Sequence, residues 1–324
     1  MVEKYIDRDL SNSIKGILIL LIVFGHNHVL CPNNEAFGLM DYLYKFHVIG
    51  FFILPFFYNT EKSCSKDQII TIFIRCIIPY IWICFLCFLC NSIYTRTLNI
   101  SISSLYALMQ GTQTPLREAF GFVFPWFLPA YCSFSIMLLF ARKYKTIWWG
   151  ITLFSVITWF WSWNTFYIFK NVAPFGTGLA ISYFGAGCLC FYLNKISEWF
   201  KYVSIFVFAI LTVGYWDSWQ LGFLYKLFPV FFFSAILLVS PYLQCRLLQN
   251  LGRNSLGIYL FHMFIVNITY IENLPFPKTI VWGIVGFILS LLISLFITQF
   301  IMSKSFLRKL LFPRSLMDVK SVFK

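Results

Sequence analysis

The chain has 324 residues, of which 60% are hydrophobic and only 11% are charged, and its mean hydropathy is +0.77. Soluble domains are on average about half apolar and about a quarter charged, so this composition excludes a soluble globular domain. The net charge of +13 does not indicate a nucleic-acid partner, because the basic residues are scattered between apolar segments as the positive-inside rule requires.

Ten apolar segments are long enough to cross a bilayer as helices. In chain order they cover roughly 14–30, 41–58, 69–92, 122–141, 146–163, 176–193, 202–216, 223–243, 255–271 and 280–302. The longest connection, about 93–121, is polar enough to be a loop with an interfacial turn. The sequence therefore predicts an all-α polytopic membrane helix bundle that occupies 1–324 as a single transmembrane domain, with a short basic tail at about 303–324.

The distribution of Lys and Arg residues predicts the orientation of this bundle. With the N-terminus in the cytoplasm, eighteen of the 25 Lys and Arg residues fall on inner segments, six fall on outer ones, and Arg75 lies inside the third segment. This asymmetry favours an even number of spans with both termini cytoplasmic. The basic tail either stops the last helix or binds anionic lipid.

Lys15 and His26 stand at the two ends of the first apolar segment. Eleven positions make about three helical turns, so both side chains point to the same face, roughly 16 Å apart. An imidazole passes protons near neutral pH, and an ammonium group binds phosphate. Such residues are costly to keep in a membrane helix without a use, so the pair predicts a group-transfer site for a phosphorylated donor.

The other three histidines, His28, His47 and His262, also lie within or at the ends of apolar segments. An intramembrane histidine usually faces the bundle interior, but it can also be a packing residue that bonds across helices, and both readings stay open for His47 and His262. His28 is turned by about 200° from His26, so it cannot share that face.

Two arginines and one cysteine motif are further candidate ligand sites. Arg75 either extends to the headgroups or meets a phosphate. The segment 252–255 is typical of a helix start, whose amides beside Arg253 could also receive a phosphate. The spacing of Cys84, Cys87 and Cys90 is typical of a metal cluster, but no fourth ligand lies in that segment, so no metal is predicted.

Four blocks in order resemble the integral-membrane acyltransferase 3 family, which contains O-antigen and capsule O-acetyltransferases, and above all its small fucose 4-O-acetylase-like members. In the first block a basic residue is followed by a histidine eleven positions later, and in the second Phe-His is followed by an aromatic run. The third is Trp-Phe-Leu between prolines. The fourth is Gly-Arg-x-Ser followed by a Tyr and a His. In this chain they are Ser13–His26, Tyr44–Phe52, Pro125–Pro129 and Leu251–His262, and Arg75 with Pro79-Tyr80 fits a further pattern.

The resemblance implies transfer of an acyl group, usually acetyl from cytoplasmic acetyl-CoA, to a carbohydrate hydroxyl. It implies that His26 is the general base, that His47 and His262 orient the acceptor or the ring of His26, and that Lys15, Arg75 and Arg253 hold the phosphates of the donor. We expect a multi-pass protein of the bacterial inner membrane, in contact with lipid. Two alternatives are a glycan transporter or flippase, and a non-catalytic partner in polysaccharide export.

Overall fold

The computed structural model describes residues 6–32, 38–58, 64–97, 101–160, 173–217, 219, 222–269 and 279–322. Within these ranges every regular element is a helix and no strand occurs, which confirms the all-α prediction. The helices long and apolar enough to cross a membrane are Leu39–Phe57, Lys66–Thr95, Phe124–Lys143, Pro174–Ile196, Leu224–Leu243 and Ile280–Ser303. That makes six in the described part of the chain, so ten spans and cytoplasmic termini stay predictions.

The α-helices of the described residues are labelled in chain order. They are α1 (Arg8–Gly25), α2 (Leu39–Tyr44), α3 (His47–Ile53), α4 (Lys66–Thr95), α5 (Ile102–Gln110), α6 (Gln113–Phe120), α7 (Phe127–Lys143), α8 (Lys145–Phe160), α9 (Thr177–Ile196), α10 (Phe200–Trp216), α11 (Phe228–Val239), α12 (Arg246–Arg253), α13 (Ser255–Thr269), α14 (Ile280–Ser303), α15 (Ser305–Leu311) and α16 (Leu316–Val322).

The chain forms two compact units. The first combines Met1–Thr60 with Ala186–Phe300, and the second combines Glu61–Gly185 with Ile301–Lys324. All four histidines, Lys15 and Arg253 therefore belong to the first unit, and Arg75 belongs to the second.

Helix α1 ends sooner than the predicted span 14–30, and the turn after it explains why. Its first turn is capped by Asp7, whose carboxylate accepts from the amide of Leu10 at 2.7 Å, and its C-cap is His26. Asn27 then accepts from the amides of Val29 and Leu30, both at 3.1 Å. An asparagine that bonds the backbone ahead of it closes a turn in place of a further helical turn. His26 thus lies at the end of the helix.

The predicted span 41–58 is broken into α2, α3 and a 3₁₀ turn at Leu54–Phe57. The break falls at Lys45 and Phe46, where the φ of Phe46 is −142°. The ring of Phe46 lies 4.1 Å from that of Phe232 and 5.6 Å from that of Phe208, measured between centroids. These aromatic contacts with α10 and α11 fix the position of Phe46, so α2 and α3 remain two separate helices.

The prediction of a loop over 93–121 was wrong, because this segment contains α5 and α6. The hydroxyl of Ser101 caps the first by accepting from the amide of Ser104 at 3.3 Å. Gly111 and Gly121 end the two helices with φ of 61° and 73°, a left-handed conformation that glycine adopts at little cost. The polar composition reflects short helices with polar caps.

Helices α1 and α12 cross at backbone contact through two glycines. A Cβ at Gly16 would overlap the carbonyl oxygen of Leu248, and a Cβ at Gly252 would overlap the carbonyl oxygen of Asn12. Backbones approach this closely only where a side chain is absent, which is the use of small residues at interfaces between membrane helices. The crossing fixes α12, and α13 directly after it, against α1.

The segment 252–255 begins a helix, as the sequence predicted, since α13 starts at Ser255, but α12 ends in the same segment. Asn254 is the C-cap of α12, and its side-chain amide donates back to the carbonyl of Asn250 at 2.8 Å. The amide of Ile258 donates to the carbonyl of Asn254 at 3.0 Å, so α13 continues almost directly from α12. Arg253 therefore lies in the last turn of one helix.

In the second unit α4 packs against α7, and the C-terminal segment folds back on α4. Within that segment, the carboxylate of Asp318 forms an ion pair with the guanidinium of Arg308 at 3.0 Å. Arg75 of α4 donates from Nε to the carbonyl oxygen of Arg314 at 3.0 Å. Arg75 thus ties the basic tail to α4, whatever else it binds.

We expect Gly252→Ala to lower the free energy of unfolding by about 1–3 kcal/mol, because the added methyl group forces apart two backbones that are already in contact. Gly150→Ala is the matched control, since nothing lies within 4 Å of a Cβ at that position of α8; it should be neutral or stabilising by up to about 1 kcal/mol. Thermal unfolding of the detergent-purified variants measures both. Equal melting temperatures for Gly252→Ala and the wild type would contradict the close crossing.

Candidate functional site

The first unit brings three of the predicted residues, His26, His47 and His262, to one cluster, and Tyr44 lies between them. The rings of His26 and His262 have centroids 5.1 Å apart. The ring of Tyr44 lies 5.8 Å from that of His26 and 4.9 Å from that of His47, edge-on to both. His26 is the C-cap of α1, Tyr44 is the last residue of α2, and His47 is the first residue of α3. His262 lies within α13.

Each of the three histidines is anchored through Nδ1 to the backbone of its own helix or of the turn before it. Nδ1 of His26 lies 2.8 Å from the carbonyl oxygen of Ile22, and Nδ1 of His262 lies 2.7 Å from that of Tyr259. Nδ1 of His47 bonds the carbonyl oxygen of Leu43. A carbonyl oxygen only accepts, so each Nδ1 carries the proton and each Nε2 offers a lone pair.

This tautomer fixes the direction of the bonds inside the cluster. Nε2 of His26 accepts from the hydroxyl of Tyr44 at 2.7 Å. The Nδ1–H of His26 is shared with Nε2 of His262 at 3.3 Å. A positive charge formed on His26 would therefore be stabilised by a second imidazole as well as by the carbonyl of Ile22. This is the arrangement of a base that is oriented by a further group.

The cluster is largely closed to solvent, and Tyr44 is its most exposed member. His47 and His262 have 0% of their surface exposed and His26 has 9%, whereas Tyr44 is only partly buried. Within the described part of the chain, Nε2 of His47 has no hydrogen-bond partner. A buried nitrogen without a partner costs about 1–3 kcal/mol, so its retention suggests that a ligand donates to it.

Lys15 lies on the same helix as His26, toward its N-terminal end, in a group of polar residues. Its ammonium is 5.7 Å from the centroid of the Tyr58 ring, and the hydroxyls of Tyr58 and Ser11 are 3.0 Å apart. The side-chain amide nitrogen of Asn12, one turn before Lys15, is buried and has no partner among the described residues. These groups are suited to the oxygens and amides of a phosphorylated donor.

Arg253 reaches this end of α1 as well. Its guanidinium is 3.3 Å from the carboxylate of Asp9, and both side chains are more than half exposed. Exposed ion pairs contribute little to stability, so the guanidinium can exchange Asp9 for a phosphate at little cost. Arg75 is not part of this group, because its contact lies with Arg314 in the second unit.

Sequence reasoning missed two aromatic hydroxyls of the site, those of Tyr44 and Tyr58. Tyr44 stands one helical turn before His47 in the second of the four blocks, which was the available signal. Tyr58 gave none, because one tyrosine after an aromatic run looks like the many interfacial tyrosines of this chain.

We expect His47→Leu to leave the melting temperature unchanged or raised, because it removes an unpartnered buried nitrogen. The carbonyl of Leu43 keeps the amide of Phe46 as a donor at 3.1 Å. His262→Leu, a fully buried control of the same size, should destabilise by about 1 kcal/mol, since it removes a bonded partner of His26. Thermal unfolding compares the two, and a lower melting temperature for His47→Leu than for His262→Leu would contradict this assignment.

Comparison with known proteins identifies a family. The family model Acyl_transf_3, described as an acyltransferase domain, matches residues 9–299, a range that includes both the histidine cluster and Lys15. No match was found among curated proteins or among solved structures. The match covers most of the chain and agrees with its apolar helices, so this protein belongs to the acyltransferase 3 family of membrane acyltransferases.

Proposed function

We propose that the protein is a membrane O-acyltransferase that moves acetyl from cytoplasmic acetyl-CoA to a hydroxyl of a surface carbohydrate or of its lipid-linked precursor. The observation that carries this proposal is the ring of His26, which offers Nε2 as a base while its Nδ1–H is held by Ile22 and His262. We further propose that the protein lies in the bacterial inner membrane with both termini in the cytoplasm.

The proposed reaction is a single acyl transfer. The acceptor hydroxyl loses its proton toward His26 while its oxygen attacks the thioester carbonyl carbon. The carbon–sulfur bond breaks, and the proton held by the imidazolium passes to the thiolate of CoA. A positioned base contributes about 10²–10⁴-fold, and the closed setting of the cluster supports further acceleration through orientation of the two substrates.

Lys15 is proposed to hold the donor. Its ammonium, the unpartnered amide nitrogen of Asn12 and the exchangeable Arg253 lie along the N-terminal half of α1. Lys15 and His26 are eleven residues apart on this helix, or roughly 16 Å at 1.5 Å per residue. A donor that carries its phosphates and its thioester at opposite ends of a long linker suits this separation. Arg75 is retained as a weaker candidate, because its Nε already bonds Arg314.

A glycan transporter is the second candidate, because the contact between His26 and His262 could also relay protons. The two functions differ in what the removal of His26 does to acetylated product.

We expect His26→Ala to reduce carbohydrate acetylation by about 10²–10⁴-fold, because it removes the base. His28→Ala, two residues away in the following turn, is the control and should retain most activity. The measurement is mass spectrometry of the surface carbohydrate from a deletion strain that carries each variant, at matched membrane levels. Equal acetylation by His26→Ala and the wild type would remove the catalytic role and favour the transporter.

We expect Lys15→Ala to raise the KM for acetyl-CoA about tenfold to a hundredfold with a smaller effect on kcat, because a hydrogen bond to a charged group contributes about 1.5–3 kcal/mol. Lys15→Arg should retain much of the activity. Lys201→Ala, which removes an equal charge from α10, is the control. An unchanged KM in Lys15→Ala would show that Lys15 anchors the helix at the interface and does not bind the donor.

A further inference from the structure

We propose that Tyr44 is a proton-relay residue: its hydroxyl accepts the proton of the acceptor substrate while it passes its own proton to Nε2 of His26. This inference rests on the proposed acyl transfer and specifies how the substrate reaches the base. It is carried by the geometry of the four rings in the cluster.

The first step of the argument concerns the one lone pair of His26. Its Nδ1 carries the proton that the carbonyl of Ile22 accepts, so the neutral ring has a single in-plane lone pair, on Nε2. The hydroxyl of Tyr44 occupies that lone pair at 2.7 Å. A substrate hydroxyl therefore cannot bond Nε2 while Tyr44 is in place, whereas the phenolic oxygen still has acceptor capacity of its own.

The second step concerns access to the cluster. His26 is 9% exposed, and His47 and His262 are fully buried. Tyr44 is the most exposed of the four side chains. A substrate that reaches the cluster therefore contacts the side chain of Tyr44 before it contacts the more deeply buried imidazoles.

The third step concerns how the hydroxyl of Tyr44 is held. The ring lies edge-on to His26 and to His47, with interplanar angles of 78° and 83°, a favourable arrangement for aromatic pairs. It stands in the last turn of α2, beside the break that the Phe46 contacts hold in place. A relay requires such a fixed oxygen, since a proton transfers only across hydrogen-bond distance.

The step balances in atoms and charge. The acceptor O–H bond breaks and a new O–H bond forms on Tyr44, while the original phenolic O–H bond breaks and an N–H bond forms on Nε2 of His26. The acceptor oxygen bonds the acyl carbon, and the sulfur leaves with the carbon–sulfur electron pair. Nε2 of His26 then returns its proton to the oxygen of Tyr44 while the phenol passes its own proton to the thiolate, so both residues end neutral and CoA leaves as the thiol.

The chain offers a matched control on the same helix. Tyr42 is also partly buried, and its hydroxyl lies 2.9 Å from that of Thr212, not in the histidine cluster. The test compares Tyr44→Phe with Tyr42→Phe in membrane vesicles from a deletion strain that carries each full-length variant. Labelled acetyl-CoA is the donor, and the native carbohydrate of the vesicles is the acceptor. Melting temperature and membrane level check that both variants fold.

We expect Tyr44→Phe to lower kcat at least about 100-fold with an unchanged KM for acetyl-CoA, and Tyr42→Phe to stay within about twofold of the wild type. For the wild type, kcat measured in mixtures of light and heavy water should vary non-linearly with the fraction of deuterium, because two protons move in one step. This second measurement stays decisive if Tyr44→Phe does not fold.

The outcomes separate the two proposals. Wild-type vesicles that form no labelled ester would overturn the proposed function, and the relay with it. If the wild type forms the ester and Tyr44→Phe keeps more than about a third of its kcat, only the relay fails, and Nε2 of His47 becomes the group that receives the acceptor. A straight-line dependence on deuterium in the wild type would also overturn the relay.

Discussion

The backbone crossing of α1 and α12 is the contact on which the site depends. Gly16 and Gly252 each face a carbonyl oxygen of the other helix, so neither position has room for a side chain. Because α13 continues almost directly from α12, this crossing also determines where His262 lies relative to His26. Lys15 precedes Gly16, and Arg253 follows Gly252 and reaches Asp9 in the first turn of α1. Two glycines thereby position the helices that carry the proposed base and the residues proposed to hold its donor.

The three histidines use their hydrogen-bonding capacity in the same way. Each donates a hydrogen bond from Nδ1 to a backbone carbonyl about one turn earlier. The Nε2 atoms therefore remain available as acceptors inside the site. These nitrogens then differ in what they meet: Tyr44 for His26, His26 for His262, and no partner in the described residues for His47. The same backbone contact, made by three histidines, thus leaves the proposed base, a group that would support its charge, and a nitrogen with no partner among the described residues.

Much of this was accessible from the sequence, and the exceptions have physical reasons. Composition and apolar segments predicted a helical membrane protein, and the family blocks identified His26, His47, His262 and Lys15 together. The distribution of apolar residues could not show that Asn27 ends α1 or that Phe46 interrupts the second span. A run of apolar residues has the same composition whether its helix continues or breaks. Nor could it show that Asn254 bonds Asn250, since a cap motif fits either end of a helix. Tyr44 was hidden because its partner, His26, is distant in sequence.

The central claim is that this protein forms an ester on a carbohydrate from a thioester donor. The most direct measurement uses the purified wild-type protein in lipid nanodiscs, with acetyl-CoA labelled in its acetyl group and the carbohydrate extracted from the source cells. Mass spectrometry should find the labelled acetyl group on a sugar hydroxyl, with free CoA released in equal amount. Release of CoA without labelled carbohydrate, or no consumption of acetyl-CoA at all, would contradict the account.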